Sequence, residues 1–368
     1  MEANTELHQF TRCPLSFHKI QVDPIVTTAE AGDFWHKHRK FASPHLSVLT
    51  KHDREVGQQV ESVADSHSAA ENREESPRLN SWGKSLERNT LVDRIETERV
   101  NSELLPPIGL GTWENDDPKQ CARTVKNALD MGYRHVDTAR YYGNEAAVGD
   151  GIEASDVSRE EIFLATKVHP LAEGLSYEGV HEGVEKSCQH LGVEYLDLLY
   201  VHWPVGNYDP DETLRAFDEL VDDGRIRNVG VSNFDAELIE EARSVLDAPI
   251  LANQVERHPL LPQQELVEHA QNHEYTLVAY SPLAQAKAFS LPEVRTVAKK
   301  HDISPAAACL AWVTAPDNVV TIPKATGTEH LRDNLEAGEI ELDAEDIELI
   351  DGIETRERLF DRDGSPWS

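Results

Sequence analysis

From residue 104 onward, short apolar runs alternate with amphipathic stretches, eight of each in turn. No other feature restricts the fold as much, because strands that alternate with helices build βαβ units around a parallel sheet. The predicted strands are Ile108–Thr112, Tyr133–Thr138, Ile162–Val168, Tyr195–Trp203, Ile226–Ser232, Ile250–Val255, Thr276–Tyr280 and Val319–Pro323. Between and after them the spacing predicts helices at Pro118–Met131, Asn144–Glu153, Tyr177–Leu191, Asp211–Asp222, Ala236–Leu246, Gln263–Asn272, Leu291–His301 and Thr328–Ala337. Ser290 and Asp235 stand where helix-starting caps are expected. Eight such pairs in about 250 residues match an α/β (β/α)8 TIM barrel by count and length. A ninth helix, Ala344–Glu354, and a polar tail follow.

Charge divides the chain in two. The net charge is -32, yet residues 1–97 carry 12 Lys and Arg against 15 Asp and Glu, which leaves 23 against 52 for residues 98–368. The division into an N-terminal extension, 1–97, and a barrel, 98–368, follows this step. The extension has no sustained period, and residues 65–90, with Ser and Glu interleaved, read as disordered. A mis-called start is a second reading of it. Met1 and Met131 are the only methionines, so a later start needs another codon, for example at Val92. His36 and His38 beside Trp35 read as solvated, and no metal is expected.

An acidic excess of this size argues against nucleic acid or anionic lipid as partners. No apolar run approaches the ~20 residues that span a bilayer, and no leader pattern opens the chain. Cys13, Cys121, Cys188 and Cys309 are scattered without a disulfide or zinc pattern, which fits the cytoplasm. A dense carboxylate surface suits high salt, so a halophilic source is expected from composition.

In an eight-stranded barrel, chemistry gathers at the C-terminal ends of the strands. Those ends hold Asp137, Tyr142 just beyond it, Lys167 and His202. Such groups are costly to bury unless paired. A tyrosine hydroxyl, with a reference pKa near ~10, becomes a usable acid when an ammonium stands beside it. Asp137 can keep Lys167 charged, and His202 can hold a substrate carbonyl towards the phenol. Taken singly, Asp137 could cap a helix, Tyr280 could be core packing and Ser232-Asn233 could be an ordinary cap.

The stretches Gly109-Leu110-Gly111-Thr112-Trp113, Gly132 to Glu145 (GYRHVDTARYYGNE), Thr166-Lys167, His202-Trp203-Pro204 and Gly230-Val231-Ser232-Asn233-Phe234 come in order. Asn253-Gln254-Val255-Glu256, Ala279-Tyr280-Ser281-Pro282-Leu283 and Ile322-Pro323-Lys324 complete the series. With these, residues 104–368 resemble the aldo/keto reductase family over nearly their whole length. The resemblance implies reduction of a small carbonyl substrate, an aldehyde, ketone or sugar-derived dicarbonyl, by NADPH or NADH. It implies Tyr142 as general acid, Lys167 and Asp137 as its tuners, and His202 as the group that orients the carbonyl. Nicotinamide binding would fall to Ser232, Asn233, Gln254 and Tyr280, and the pyrophosphate to Ser281 and Leu283. Trp113 would wall the substrate pocket, and a monomer is expected. Gly109-x-Gly111 is not a Rossmann fingerprint, because the third glycine is missing.

Departures gather at the adenosine end. Lys324 is present, but Ala325 and His330 stand where NADPH-preferring relatives carry a small hydroxyl residue and an arginine. Lysine offers a point charge to a 2′-phosphate where arginine offers a planar fork. Weak discrimination between NADPH and NADH is therefore expected, with Asn334 and Arg332 as adenine-side contacts. Arg257 and His169 replace aromatic residues and are expected at the pocket rim. A redox-sensing regulatory subunit on the same barrel is the alternative function.

Overall fold

A computed structural model describes residues 105–361 and 364–367. The N-terminal extension, with its expected disorder, its alternative start at Val92 and His36 and His38, lies outside the described residues.

Eight strands form one all-parallel sheet in chain order: β1 (Leu110–Gly111), β2 (His135–Asp137), β3 (Phe163–Val168), β4 (Leu198–Val201), β5 (Val229–Ser232), β6 (Ile250–Glu256), β7 (Thr276–Tyr280) and β8 (Val319–Thr321). Among the described residues the α-helices are α1 (Pro118–Met131), α2 (Glu145–Glu153), α3 (Tyr177–Leu191), α4 (Pro210–Asp222), α5 (Ala236–Val245), α6 (Gln264–Asn272), α7 (Pro292–His301), α8 (Pro305–Val313), α9 (Thr328–Glu336) and α10 (Ala344–Asp351). Further backbone bonds join the first strand region to the last. Gly109 N–H donates to Thr321 O (2.7 Å), Gly111 N–H to Pro323 O (3.2 Å) and Thr321 N–H to Pro107 O (2.9 Å).

Alternation along each strand sorts the core into two parts. Leu199 and Val201 of β4 join the large apolar cluster between strands and helices, whereas Leu198 and Tyr200 join a smaller one with Ala165, Ala252, Val278, Val320 and Ile322. Tyr200 fits there because its neighbour in register is Gly230. A Cβ on that glycine would stand 2.6 Å from the Tyr200 ring.

Six of the eight strands are shorter than their apolar runs suggest, while β7 matches its run and β6 extends one residue past it. The run Tyr195–Trp203 pairs as β4 only over Leu198–Val201, with Leu196 keeping a single bridge to Ile226. The His202 N–H still donates to Val168 O at 3.0 Å, and beyond it the chain leaves the ladder, with His202 on the rim of the sheet. Asp235 caps α5 as expected, accepting from the Leu238 N–H at 2.9 Å. Ser290 does not cap α7, because its hydroxyl donates to Lys287 O at 3.0 Å instead.

Helix α8 escapes a search for amphipathic spacing because it has no polar face: every residue from Ala307 to Val313 is buried. Ser304 and Pro305, a side-chain cap and a proline at the first turn, were its available signal. Among the described residues no helix is long and apolar enough to cross a membrane.

Candidate active site

Parallel register brings the C-terminal strand ends to one level, with Asp137 beside Gly111 and Ala165, Lys167 beside Tyr200, and Ser232 beside Gln254. A cleft opens over these ends.

Its floor is ionic. The Lys167 ammonium, fully buried, donates to Asp137 Oδ1 and to Thr138 O (2.7 Å), and Gln254 Nε2 donates to the other Asp137 oxygen at 2.8 Å. Burial pushes the Lys167 pKa below its ordinary value, and the Asp137 carboxylate opposes that shift. The Lys167 Nζ lies 5.3 Å from the centroid of the Tyr142 ring. On the rim, Tyr142 meets His202 edge-on, with ring centroids 5.7 Å apart at 78°.

Tyr142 owes its place to a short 3-10 turn, Arg140–Tyr142, that leaves β2 and ends at Gly143 in the left-handed region (φ 70°). Buried Asn144 ties that turn down, accepting from Thr138 Oγ1 (3.1 Å) and donating to Thr112 O (2.8 Å). Arg140 is pinned between Glu145 and Glu173, each at 3.1 Å, and buried Glu145 also accepts from Thr166 Oγ1 at 2.7 Å. Sequence reasoning assigned Asn144, Glu145 and Arg140 no role. A carboxylate inside an otherwise small and apolar helix start was the signal that a partner must exist. The adjacent Tyr141 is exposed and stacks on His169 at 4.2 Å, away from the ammonium.

The other wall comes from β5 to β7. Asn233 adopts a left-handed backbone (φ 64°), from which its Nδ2 donates to His202 O (2.9 Å) and Ser232 Oγ (3.1 Å). It also accepts from the Tyr280 hydroxyl at 2.8 Å, while Ser232 Oγ donates to Gln254 O at 2.9 Å. The polar groups of these residues are thus fixed before anything binds.

The structure brings Trp113, Asp137, Tyr142, His202, Ser232, Asn233, Gln254, Tyr280, Ser281 and Lys324 onto one cleft. Lys167 lies behind Asp137 and Tyr142 rather than on the wall. Leu283, His330 and Asn334 line an adjoining cleft, which shares Trp113, Ser281, Pro282 and Lys324 with the first. Arg332 lines neither cleft. His169 does reach the first cleft, but Arg257 does not. It is buried under Trp312, its guanidinium 4.3 Å from the ring centroid and its Nη1 donating to Val313 O at 3.2 Å. A cation with an aromatic face and a carbonyl within reach packs inward, and the rim expectation is corrected.

Phe360 is the wall residue that sequence reasoning missed. It packs edge-on against Trp113 (5.3 Å) and Tyr280 (5.5 Å). Its place is set from β6: the fully buried Glu256 carboxylate accepts from the Leu359 N–H (2.6 Å) and the Phe360 N–H (3.0 Å) and contacts His258 Nε2 at 2.8 Å. A hundred residues separate the two partners in sequence, so no local pattern announces the contact.

Comparison with known proteins identifies the family. Residues 107–355 match the model of the aldo/keto reductase family. An aldo-keto reductase of Mycolicibacterium smegmatis is 41% identical over 72% of this chain and 95% of its own length. The glyoxal reductase of Bacillus subtilis is 38% identical over 70% of this chain and 92% of its own. The crystal structure of an aldo-keto reductase enzyme from a Medee basin deep-sea metagenome library superposes with a TM-score of 0.67 at 34% identity, covering 70% of this chain and 94% of that one. An ordered strand-end site and matches that span nearly the whole length of such relatives make this chain an oxidoreductase that belongs to the aldo/keto reductase family.

Proposed function

We propose that this chain reduces small aldehydes, ketones and dicarbonyls with NADPH or NADH, Tyr142 serving as the general acid. One observation carries the reading. A buried ammonium, held by Asp137, stands beneath the Tyr142 ring, with His202 edge-on to that ring in the same cleft. An ammonium close to a phenol favours its ionised form and so makes its proton easier to release. Tyr142 Oη gives its proton to the carbonyl oxygen of the substrate, and Lys167 stabilises the phenolate left behind. His202 holds that oxygen in line, and Trp113 and Phe360 close the apolar side of the pocket. Small dicarbonyls fit a reading in which a glyoxal reductase is among the relatives.

The two adjoining clefts suit an extended dinucleotide, which supplies a hydride from nicotinamide C4 when bound. Tyr280 offers a half-buried ring for stacking, and Gln254, Asn233 and Ser232 offer amide and hydroxyl groups to a carboxamide. Ser281, Gln285 and Ala286, all with left-handed backbones, line the second cleft. Lys324, exposed where the clefts meet, supplies the cation. The backbone bonds between the first and last strand regions support a sheet closed into a (β/α)8 barrel, which keeps this rim rigid.

NADPH and NADH oxidation by wild type and Tyr142→Phe, with glyoxal and methylglyoxal as substrates, tests the assignment. A loss of turnover of about a hundredfold or more, with cofactor binding kept, is expected. Turnover within a few-fold of wild type would remove Tyr142 from the role.

A further inference from the structure

Away from both clefts, Glu240 on α5 meets His269 on α6 and His273, which directly follows that helix. We infer that Glu240, His269 and His273 form a site for one divalent transition-metal ion of the zinc class, a tie between two helices on the outside of the sheet.

Geometry comes first. Donor atoms of the three side chains all lie within 4.8 Å of one another, and both imidazole Nε2 atoms are 3.7 Å from the same oxygen, Glu240 Oε1. An ion at the centre of that triangle stands no more than about 2.4 Å from each donor. The two rings stack, with centroids 4.0 Å apart at 21°, so one imidazole must rotate out of the stack for both nitrogens to reach the ~2.0–2.1 Å of a zinc–nitrogen bond.

Ring orientation is the second, independent observation. His273 Nδ1 is 2.9 Å from the His269 carbonyl oxygen, which can only accept. That nitrogen therefore carries the hydrogen, which leaves Nε2 as the atom available to an ion. His269 Nδ1 is 3.0 Å from the hydroxyl of buried Tyr275. A backbone carbonyl and a fixed hydroxyl behind the rings are the kind of outer partner that aims metal-binding histidines. The sequence spacing agrees, since four residues apart on a helix puts both rings on one face.

One group opposes the ion. Arg243 Nε lies 3.4 Å from the same Glu240 oxygen, and its side chain must turn into solvent when a cation arrives. Two imidazoles and one carboxylate favour zinc or a neighbouring first-row ion over magnesium, which prefers oxygen donors and holds its water. The remaining coordination positions face solvent, because Glu240 and His273 are partly exposed.

Zinc chloride titrated calorimetrically into the full chain tests the site, with its additional histidines as a built-in background. Wild type is expected to bind one more zinc ion than the His269→Ala/His273→Ala double variant. Glu240→Gln, a change on a half-exposed side chain that leaves the fold intact, is expected to bind that ion at least tenfold more weakly. Carbonyl reduction without metal is expected to be equal in all three. Equal zinc stoichiometry and affinity in wild type and double variant would overturn the site, as would unchanged affinity in Glu240→Gln. A magnesium affinity equal to that for zinc would overturn the choice of metal class.

Discussion

The two adjoining clefts are built differently. Over the strand ends, Asp137, Lys167, Gln254, Ser232 and Asn233 are all buried and hydrogen-bonded to one another or to backbone. In the adjoining cleft, Lys324 and His330 are exposed and stand on the loop and helix that follow β8. The first arrangement cannot change one member without stranding another polar group in the interior. The second can exchange a side chain at little structural cost. On the proposed function, the fold fixes the reaction chemistry and leaves cofactor preference open to drift.

Removing Lys167 attacks the first arrangement most directly. Lys167→Met leaves the Asp137 carboxylate buried without its cation, and unfolding free energy is expected to fall by about 3–5 kcal/mol. Urea titration measures it. An unchanged midpoint would mean that the strand-end site is no more coupled than the loop-built one.

Acid sharpens the same contrast. His135 on β2 is fully buried, neither ring nitrogen has a hydrogen-bond partner, and burial lowers its pKa to about 4, with Lys167 adding to the shift and Asp137 and Asp197 opposing it. The unfolded chain takes up this proton near pH 6.5 and the folded one only near pH 4, so the associated stability is present above 6.5 and lost as pH falls between the two. The loss amounts to about 3 kcal/mol. His135→Phe should flatten the dependence in that window, and identical curves for both proteins would contradict the burial.

Between the two arrangements lies the tail. Glu256→Ala leaves the Leu359 and Phe360 amides without their acceptor, which costs about 1–3 kcal/mol. It also releases Phe360 from Trp113 and Tyr280. We expect KM for carbonyl substrates to rise about tenfold while cofactor binding holds, and an unchanged KM would mean that Phe360 keeps its place unaided.

The smallest effect on stability belongs to the open cleft. His330→Arg should raise preference for NADPH over NADH by about tenfold, roughly 1.4 kcal/mol. Unfolding should move by less than about 0.5 kcal/mol. A large loss of stability there would erase the distinction between the clefts.

The alternation of apolar runs and amphipathic stretches announced a parallel α/β sheet because period and composition are local properties of the chain. Motifs at the strand ends named Asp137, Tyr142, Lys167 and His202 for the same reason, since each sits at a fixed distance from the end of a short strand. Local pattern could not find α8, whose uniform burial removes the polar face that marks a helix. Nor could it choose between inward packing and the rim for Arg257, which depends on Trp312 lying beneath it. Contacts over long sequence distances were the province of the tertiary structure alone: Gln254 on Asp137, the β6 carboxylate on the tail, and Glu240 beside two histidines. The chain determines by itself which side chains stand on which strand. Setting the strands side by side and seating the tail decides which of them meet, because burial leaves each polar group only the partners that packing brings within hydrogen-bond reach.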